Sequence, residues 1–264
     1  MLRYLRLLKL FFSTALLKEA SFRGDFLIKI LYTAINLTGT IGGIAILFTN
    51  TNSLNSWTFA DTLALSGVYY FILASKNLFV GPSLGSLAGM DGELWTGGFD
   101  LTLLRPIETQ FYVSTRYWSP LNLFDVVVGI AVMVLGVAQM PGGISITSCL
   151  MFVWAIFNAL LLLYSILLSL SSLAFWYAGS PMLSIFDNIM QMGRFPVNVY
   201  QKPVQLVLTW VVPVAFIVSI PAEALVGRAS LPYLFGGSLL AAALLVLASL
   251  FFKQAVKKYA SASS

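Results

Sequence analysis

The sequence predicts an all-α polytopic membrane protein with six transmembrane helices. The chain is 59% hydrophobic and only 9% charged, whereas about a quarter of the residues in a soluble domain are charged. Its apolar runs of about 20 residues suit a hydrocarbon core of about 30 Å. The basic residues flank these runs and form no patch, so they report orientation and argue against nucleic acid as a partner. We expect one transmembrane domain over residues 1–264.

Residues 2–24 open the chain with a basic amphipathic pattern, in which Arg3, Arg6 and Lys9 recur at helical spacing beside an apolar face. We expect this helix to lie in the headgroup region of the membrane. The six spans are predicted at residues 26–48, 61–80, 120–137, 146–177, 203–220 and 231–252. The polar, turn-rich stretch 86–106 must face water, because its backbone could not be satisfied in lipid.

The distribution of basic residues predicts the orientation of the chain. They concentrate in the N-terminal segment, in the connections after the second and fourth spans, and in the C-terminal tail, whereas the alternate connections hold only Arg228. Both termini and the stretches 86–106 and 179–202 are therefore predicted to be cytoplasmic. We expect an integral protein of a bacterial inner membrane. The residues counted are Arg3, Arg6, Lys9, Lys18, Arg23, Arg105, Arg116, Arg194, Lys202, Lys253, Lys257 and Lys258.

The sequence lacks the parts of an enzyme. It contains no His, no Gly-rich phosphate loop ending in GK[ST] and no Cys/His metal cluster. Gly81 to Gly85 match the G-x-S-x-G pattern, but without His no Ser-His-Asp triad can form around Ser83. The single Cys149 excludes an intrachain disulfide. We expect no catalytic site, no metal and no cofactor bound by this chain.

Three charges, Lys29, Lys76 and Asp125, lie inside the predicted spans, each near the cytoplasmic end. An intramembrane charge is a functional candidate by default. The alternative is structural: the lysines extend to the headgroups and Asp125 pairs with one of them.

The stretch 86–106 opposes the positive-inside pattern, because it carries three acids, Asp91, Glu93 and Asp100. Trp95 and Phe99 add apolar anchors four residues apart, so the element suits a protein partner with basic residues. A solvated loop is the alternative. A short helix should bend or end at Gly97-Gly98 and stop at Arg105-Pro106.

The run from Glu93 to Pro106, ELWTGGFDLTLLRP, resembles the cytoplasmic signature of type-2 ATP-binding-cassette (ABC) permeases of the six-span branch. Arg194-Phe195-Pro196 resembles the basic-aromatic-Pro approach to the fifth span of that branch. The stretch 212–222, with Pro213 and Pro221, resembles its paired-proline fifth span. The three motifs occur in this order and the resemblance covers nearly the whole chain.

The resemblance implies that two permeases pair, as a homodimer or a heterodimer, and that each docks on a separate ABC ATPase that holds ATP and Mg. It further implies a short cytoplasmic coupling helix that passes the motion of the ATPase to the spans. Glu93, Gly97, Asp100, Arg105 and Pro106 belong to that element by resemblance.

The connection from Pro221 to Leu231 resembles an outward-facing re-entrant segment, in which Glu223 and Arg228 cap its pieces or pair across the exit. Pro213 and Pro221 each lack a backbone donor, so the helix should be interrupted near both.

These features predict the membrane subunit of an ABC exporter, which forms the translocation path in contact with lipid. A secondary transporter is the alternative, and it would need a mid-bilayer ion site and internal repeats. A membrane scaffold without transport is a further alternative.

Overall fold

The computed structural model describes residues 2–21, 23–51 and 53–259, and within these ranges every regular element is helical. The α-helices are α1 (Leu2–Ala20), α2 (Arg23–Thr49), α3 (Phe59–Ser75), α4 (Gly81–Ala88), α5 (Glu93–Thr96), α6 (Phe99–Leu103), α7 (Thr109–Thr115), α8 (Asn122–Ala138), α9 (Ile146–Leu173), α10 (Met182–Met190), α11 (Lys202–Leu206), α12 (Ile220–Leu225) and α13 (Leu231–Lys258). π-helical turns occur at Lys76–Val80, Val207–Val211 and Ala215–Ser219, and 3₁₀ turns at Gln191–Arg194 and Val197–Val199.

The long helices form one bundle with α3 at its centre. A capping box starts α3: the Thr58 amide donates to the Asp61 carboxylate at 2.9 Å, and the Asp61 amide donates to the Thr58 hydroxyl at 3.3 Å. The helix continues through the Lys76–Val80 turn into α4, which ends at Ala88, and the short helix that begins at Glu93 follows after a turn. We call the two ends of the bundle the Asp61 end and the Glu93 end.

The closest packing in the bundle joins α3 to α8, and glycines permit it. A Cβ atom added to Gly67 would lie 2.3 Å from the Met133 amide nitrogen. A Cβ atom on Gly136 would lie 2.4 Å from the Ala64 amide nitrogen. Small residues at a helix interface let the two backbones approach closely, which is a common way of joining helices within a membrane.

Within the described residues, four helical segments are long and apolar enough to cross a membrane: Gly24–Thr49, Phe59–Thr96, Ile146–Leu173 and Leu231–Lys258. The helix at the predicted third span, α8, has 17 residues. At a rise of about 1.5 Å per residue it spans about 26 Å, slightly less than a typical hydrocarbon core. The fourth predicted span, 146–177, ends earlier than expected, at Leu173.

The segment predicted as the fifth span, 203–220, is not a straight crossing. Lys202–Val211 and Ala215–Leu225 meet at an angle of 78°. The break falls at Val212, which is extended with φ −117°, and at Pro213, which has no amide donor. At Pro221 the helix is not broken; a π-helical turn, Ala215–Ser219, precedes it and α12 continues through it.

The first arm of this bent pair begins at the Asp61 end, and the second arm ends there. In the first arm, the Gln205 amide donates to the Asn198 carbonyl at 2.8 Å, and Asn198 also accepts from Asn55 at 2.7 Å. After the second arm, Arg228 lies 2.6 Å from Asp61. The bent pair is therefore a re-entrant hairpin that enters the bundle from the Asp61 end.

The crossing assigned to 203–220 is made instead by residues 182–199. Asp187, in α10, pairs with Lys76 towards the Glu93 end. A Cβ atom on Gly193 would lie 3.6 Å from Tyr69, which is midway along the bundle, and Asn198 reaches Asn55 at the Asp61 end. Residues 182–199 therefore run antiparallel to α3. This corrects the prediction that 179–202 is a cytoplasmic insert.

The sequence misled this assignment because Asp187, Arg194 and Pro196 interrupt the true crossing, whereas the re-entrant hairpin is more uniformly apolar. Arg194 therefore lies within the bundle and Lys202 lies at the Asp61 end, so neither supports the orientation for which it was counted.

Candidate functional site

The stretch 86–106 forms a compact two-helix element at the Glu93 end, which we call the coupling element. Helix α5 ends at Gly97, whose φ of +77° is the left-handed conformation that favours glycine. Helix α6 follows and ends at Leu103, before Arg105-Pro106. The bend and the stop fall where the glycine pair and the Arg-Pro dipeptide predict them.

Glu93 forms an ion pair within the protein. Its carboxylate lies 2.7 Å from the guanidinium of Arg116, whose side chain is 3% exposed. The Thr102 hydroxyl donates to Glu93 at 3.0 Å and accepts from Arg116 at 3.0 Å. These three side chains join α5 and α6 to the residue that follows α7. The docking of this acidic element on a basic partner stays a prediction, and the structure shows that Glu93 already has a basic residue of its own chain beside it.

Arg116 is the functional residue that sequence reasoning missed, since it was counted only as a charge beside a span. Its guanidinium also lies over the rings of Tyr112 and Tyr117, at 5.2 and 4.9 Å from their centroids. The flanking aromatic residues were the available signal, because an arginine stacked on aromatic rings is favoured where it is buried and paired.

The two predicted apolar anchors separate in the structure. Phe99 is fully buried and packs edge-on against Phe175 and Tyr259, with ring centroids 5.2 and 5.1 Å apart. Trp95 is 62% exposed. Phe99 thus belongs to the core of the bundle, and the two side chains are separated because α5 ends between them, at the glycine pair.

Four apolar side chains of the coupling element are exposed, and we call them together the docking surface. Its members are Met90, Trp95, Leu101 and Leu104, of which Leu104 is 79% exposed. Asp91 is exposed beside them, whereas Asp100 is half-buried. The side chains that the element exposes to a partner are therefore more apolar than acidic.

Arg105 and Pro106 fix the far side of the element. The Arg105 guanidinium lies over the Tyr112 ring at 4.9 Å from its centroid. The Pro106 carbonyl accepts from Arg3 of α1 at 3.2 Å. Tyr4 of α1 packs against Phe111 with ring centroids 4.6 Å apart, so the N-terminal helix lies over α7 at the Glu93 end.

The intramembrane charges form two separate ion pairs. Lys29 lies 2.5 Å from Asp125 and donates to the Asn122 side chain at 2.9 Å. The second Asp125 oxygen accepts from Thr33 at 2.6 Å. Lys76 pairs with Asp187 instead, so the structure resolves the open choice for Asp125 in favour of Lys29 and removes Lys76 from that cluster.

The outer connection is held by a different pair from the one predicted. Arg228 binds Asp61 at 2.6 Å and donates to the Ser56 carbonyl at 2.9 Å, so its guanidinium does not pair with Glu223. The Glu223 backbone carbonyl accepts from the amides of Arg228 and Ala229, at 2.7 and 3.1 Å, and this ends α12. Glu223 is half-buried and lines a cavity beneath the re-entrant hairpin together with Asn198 and Gln205.

The fold and these sites define an all-α polytopic membrane protein with a small helical element tied to one end of its bundle. Residues 34–263 match the model of the family described as ABC-2 family transporter protein. The match covers most of the chain, so the protein belongs to this family and is a type-2 ABC transporter permease. No curated protein matched the sequence.

Proposed function

We propose that this permease forms the translocation path of an ABC exporter and that a separate ATPase drives it through the coupling element. The observation that carries the proposal is the link from Glu93 to buried Arg116 in the same element that carries the exposed docking surface. An exposed apolar patch outside the spans suits a protein interface. A rigid link from that patch to the bundle suits the transmission of movement.

ATP and Mg belong to the partner in this proposal, and the permease itself is not an enzyme. The support is the sequence, which contains no phosphate-binding loop of the GxxxxGK[ST] type. The export direction rests on the resemblance of the Glu93–Pro106 signature.

The Glu93 end is proposed to be cytoplasmic, in a bacterial inner membrane. Helix α1 lies at this end, and so does the end of α13, where Tyr259 packs against Phe99. Lys253, Lys257 and Lys258 lie in the last turns of α13, so the basic residues at both ends of the chain gather there.

A second permease chain is proposed to cover α2, which is the least enclosed long helix. Large apolar side chains of α2 are exposed, among them Leu31 and Ile35. A Cβ atom added to Gly39, Gly42 or Gly43 would meet nothing within 4 Å, so this face can accept another helix. Lipid would cover the remaining apolar surface.

Isolation of the complex from native membranes tests the proposal. We expect an ABC ATPase to co-purify with the permease, ATP hydrolysis to require that subunit, and the purified permease alone to hydrolyse none. ATP should drive accumulation of a transported amphiphile in inside-out vesicles and not in right-side-out vesicles. Ion-gradient-driven transport without an ATPase would favour a secondary transporter, and the absence of both activities would favour a scaffold.

A further inference from the structure

A small polar cavity lies inside the bundle, between α2, α3, α8 and the crossing segment 182–199. Its volume is about 100 Å³, and its lining includes one carboxylate, Asp125, together with Lys29, Asn36, Tyr69, Tyr70 and Arg194. The Tyr70 hydroxyl donates to the Asn36 carbonyl at 3.1 Å, which places the cavity midway along α2 and α3. Ionisable side chains at this depth of a membrane bundle mark a candidate functional site.

The charges around the cavity do not cancel. Lys29 is neutralised by Asp125 at 2.5 Å, and Lys76 and Asp187 neutralise each other nearby. Arg194 takes part in none of the four ion pairs formed among the described residues. The cavity therefore retains one uncompensated positive charge.

Two hydrogen-bonding groups at the cavity, the Arg194 guanidinium and the Tyr69 hydroxyl, interact with each other but are incompletely satisfied. The Arg194 guanidinium lies over the Tyr69 ring at 5.8 Å from its centroid. The Arg194 Nε and the Tyr69 hydroxyl are both buried, and neither makes a hydrogen bond of normal geometry within the described chain. A buried donor without an acceptor is costly, so both groups are set to donate to an acceptor that enters the cavity.

We propose that this cavity binds the anionic headgroup, a phosphate or a carboxylate, of an amphipathic molecule. Arg194 would supply the charge, and Tyr69 and Lys29 would donate further hydrogen bonds. One water occupies about 30 Å³ of liquid, so the cavity has room for only a few groups of that size. It therefore admits a headgroup and excludes an entire amphiphile. The apolar tail would leave along α2, past Leu31 and Ile35, between this chain and the second permease proposed to cover that face.

The assignment of this site to the translocation path rests on the proposed permease function, whereas binding itself does not. Binding is therefore measured on the purified full-length permease in a neutral detergent, without ATP or ATPase. The three labelled probes are monododecyl phosphate, dodecyltrimethylammonium with the same tail and the opposite charge, and inorganic phosphate with no tail. Lys202→Gln is the matched control, since Lys202 is an exposed cation at the Asp61 end.

We expect monododecyl phosphate to bind saturably, at least tenfold more tightly than either other probe. Arg194→Gln should weaken that binding at least tenfold, Arg194→Lys less, and Lys202→Gln not at all. Tyr69→Phe removes only the hydroxyl and should weaken binding severalfold, so it tests the site even where Arg194→Gln fails to fold.

Unchanged binding in folded Arg194→Gln and Tyr69→Phe would overturn the proposal. Equal affinity for dodecyltrimethylammonium would refute the anionic preference, and equal affinity for inorganic phosphate would refute an amphiphile as the ligand. If the site binds as expected but ATP drives no transport, the proposed function fails and the binding site stands. If ATP-driven transport occurs but Arg194→Gln binds monododecyl phosphate as tightly as the wild type, the proposed site is refuted and the proposed function stands.

Discussion

The Glu93 carboxylate lies 2.7 Å from the guanidinium of Arg116, and this ion pair fixes the coupling element to the bundle. An acid that looks like a docking residue in the sequence is therefore an internal tether. Because the Arg116 side chain is almost fully buried, loss of its partner would leave an unpaired charge in the protein. Removing one partner of a buried pair costs about 3–5 kcal/mol.

We predict that Glu93→Gln lowers the thermal stability of the purified permease and uncouples ATP hydrolysis from transport. Asp91→Asn is the matched control, since Asp91 is an exposed acid of the same element, and it should change neither property. Restored stability in Glu93→Gln/Arg116→Met would identify the unpaired charge as the cause. A Glu93→Gln protein as stable as wild type would contradict the tether.

We predict opposite effects for the two aromatic residues of the coupling element. Trp95→Ala should reduce the amount of ATPase that co-purifies with the permease and leave its melting temperature unchanged, because Trp95 is 62% exposed. Phe99→Ala should destabilise the permease itself by about 3–5 kcal/mol, because it opens a cavity among packed rings. The measurements are the ratio of the two subunits after purification and the melting curve. Equal effects of the two substitutions on both measurements would refute this division.

A third prediction concerns the ion pair within the spans. Asp125→Asn should destabilise the permease, because it leaves Lys29 unpaired within the bundle. Asp125→Asn/Lys29→Met should recover much of the loss, whereas Asp125→Asn/Lys76→Met should be worse than the single change, because Lys76 pairs with Asp187. Thermal unfolding of the wild type and these three variants is the measurement. Recovery through Lys76 in place of Lys29 would contradict the structure.

The sequence predicts the helical class and the family because both depend on local patterns. Apolar runs predict helices, Gly97 predicts the end of α5, and the Glu93–Pro106 signature leads to the family that the match to residues 34–263 confirms. These features need no knowledge of which distant residues meet in space.

The features that escaped prediction depend on such distant contacts. Glu93 finds Arg116, and Asp61 finds Arg228 from the far end of the chain. Hydropathy also favours the apolar re-entrant hairpin over the true crossing, in which Asp187 is matched by Lys76 from another helix. An internal partner offsets the cost of a buried charge, and a single sequence does not show which residue that partner is.

The fourth prediction concerns the topology, tested with membrane-impermeant maleimide in intact cells. In a Cys149→Ser background, Ser53→Cys and Lys202→Cys should be labelled from the same side, because Asn55 meets Asn198 next to the re-entrant hairpin. Lys257→Cys should be labelled only after the cells are opened, because it lies at the Glu93 end. Labelling of Lys202→Cys together with Lys257→Cys would restore the topology that the basic-residue count predicts.

The last prediction tests the packing of α3 against α8. At Gly136 an added Cβ atom would lie 2.4 Å from the Ala64 amide nitrogen, which is backbone and cannot rotate away. Gly136→Ala must therefore push the two helices apart, and we expect a destabilisation of about 1–3 kcal/mol, as is usual for an overpacked interface. Gly39→Ala is the control, since its Cβ atom would meet nothing within 4 Å and alanine favours a helix by about 1 kcal/mol. The melting temperature of the purified permease should fall for Gly136→Ala and hold or rise for Gly39→Ala. Equal melting temperatures would mean that α3 and α8 do not approach as closely as the structure places them, and the core of the bundle would need a different register.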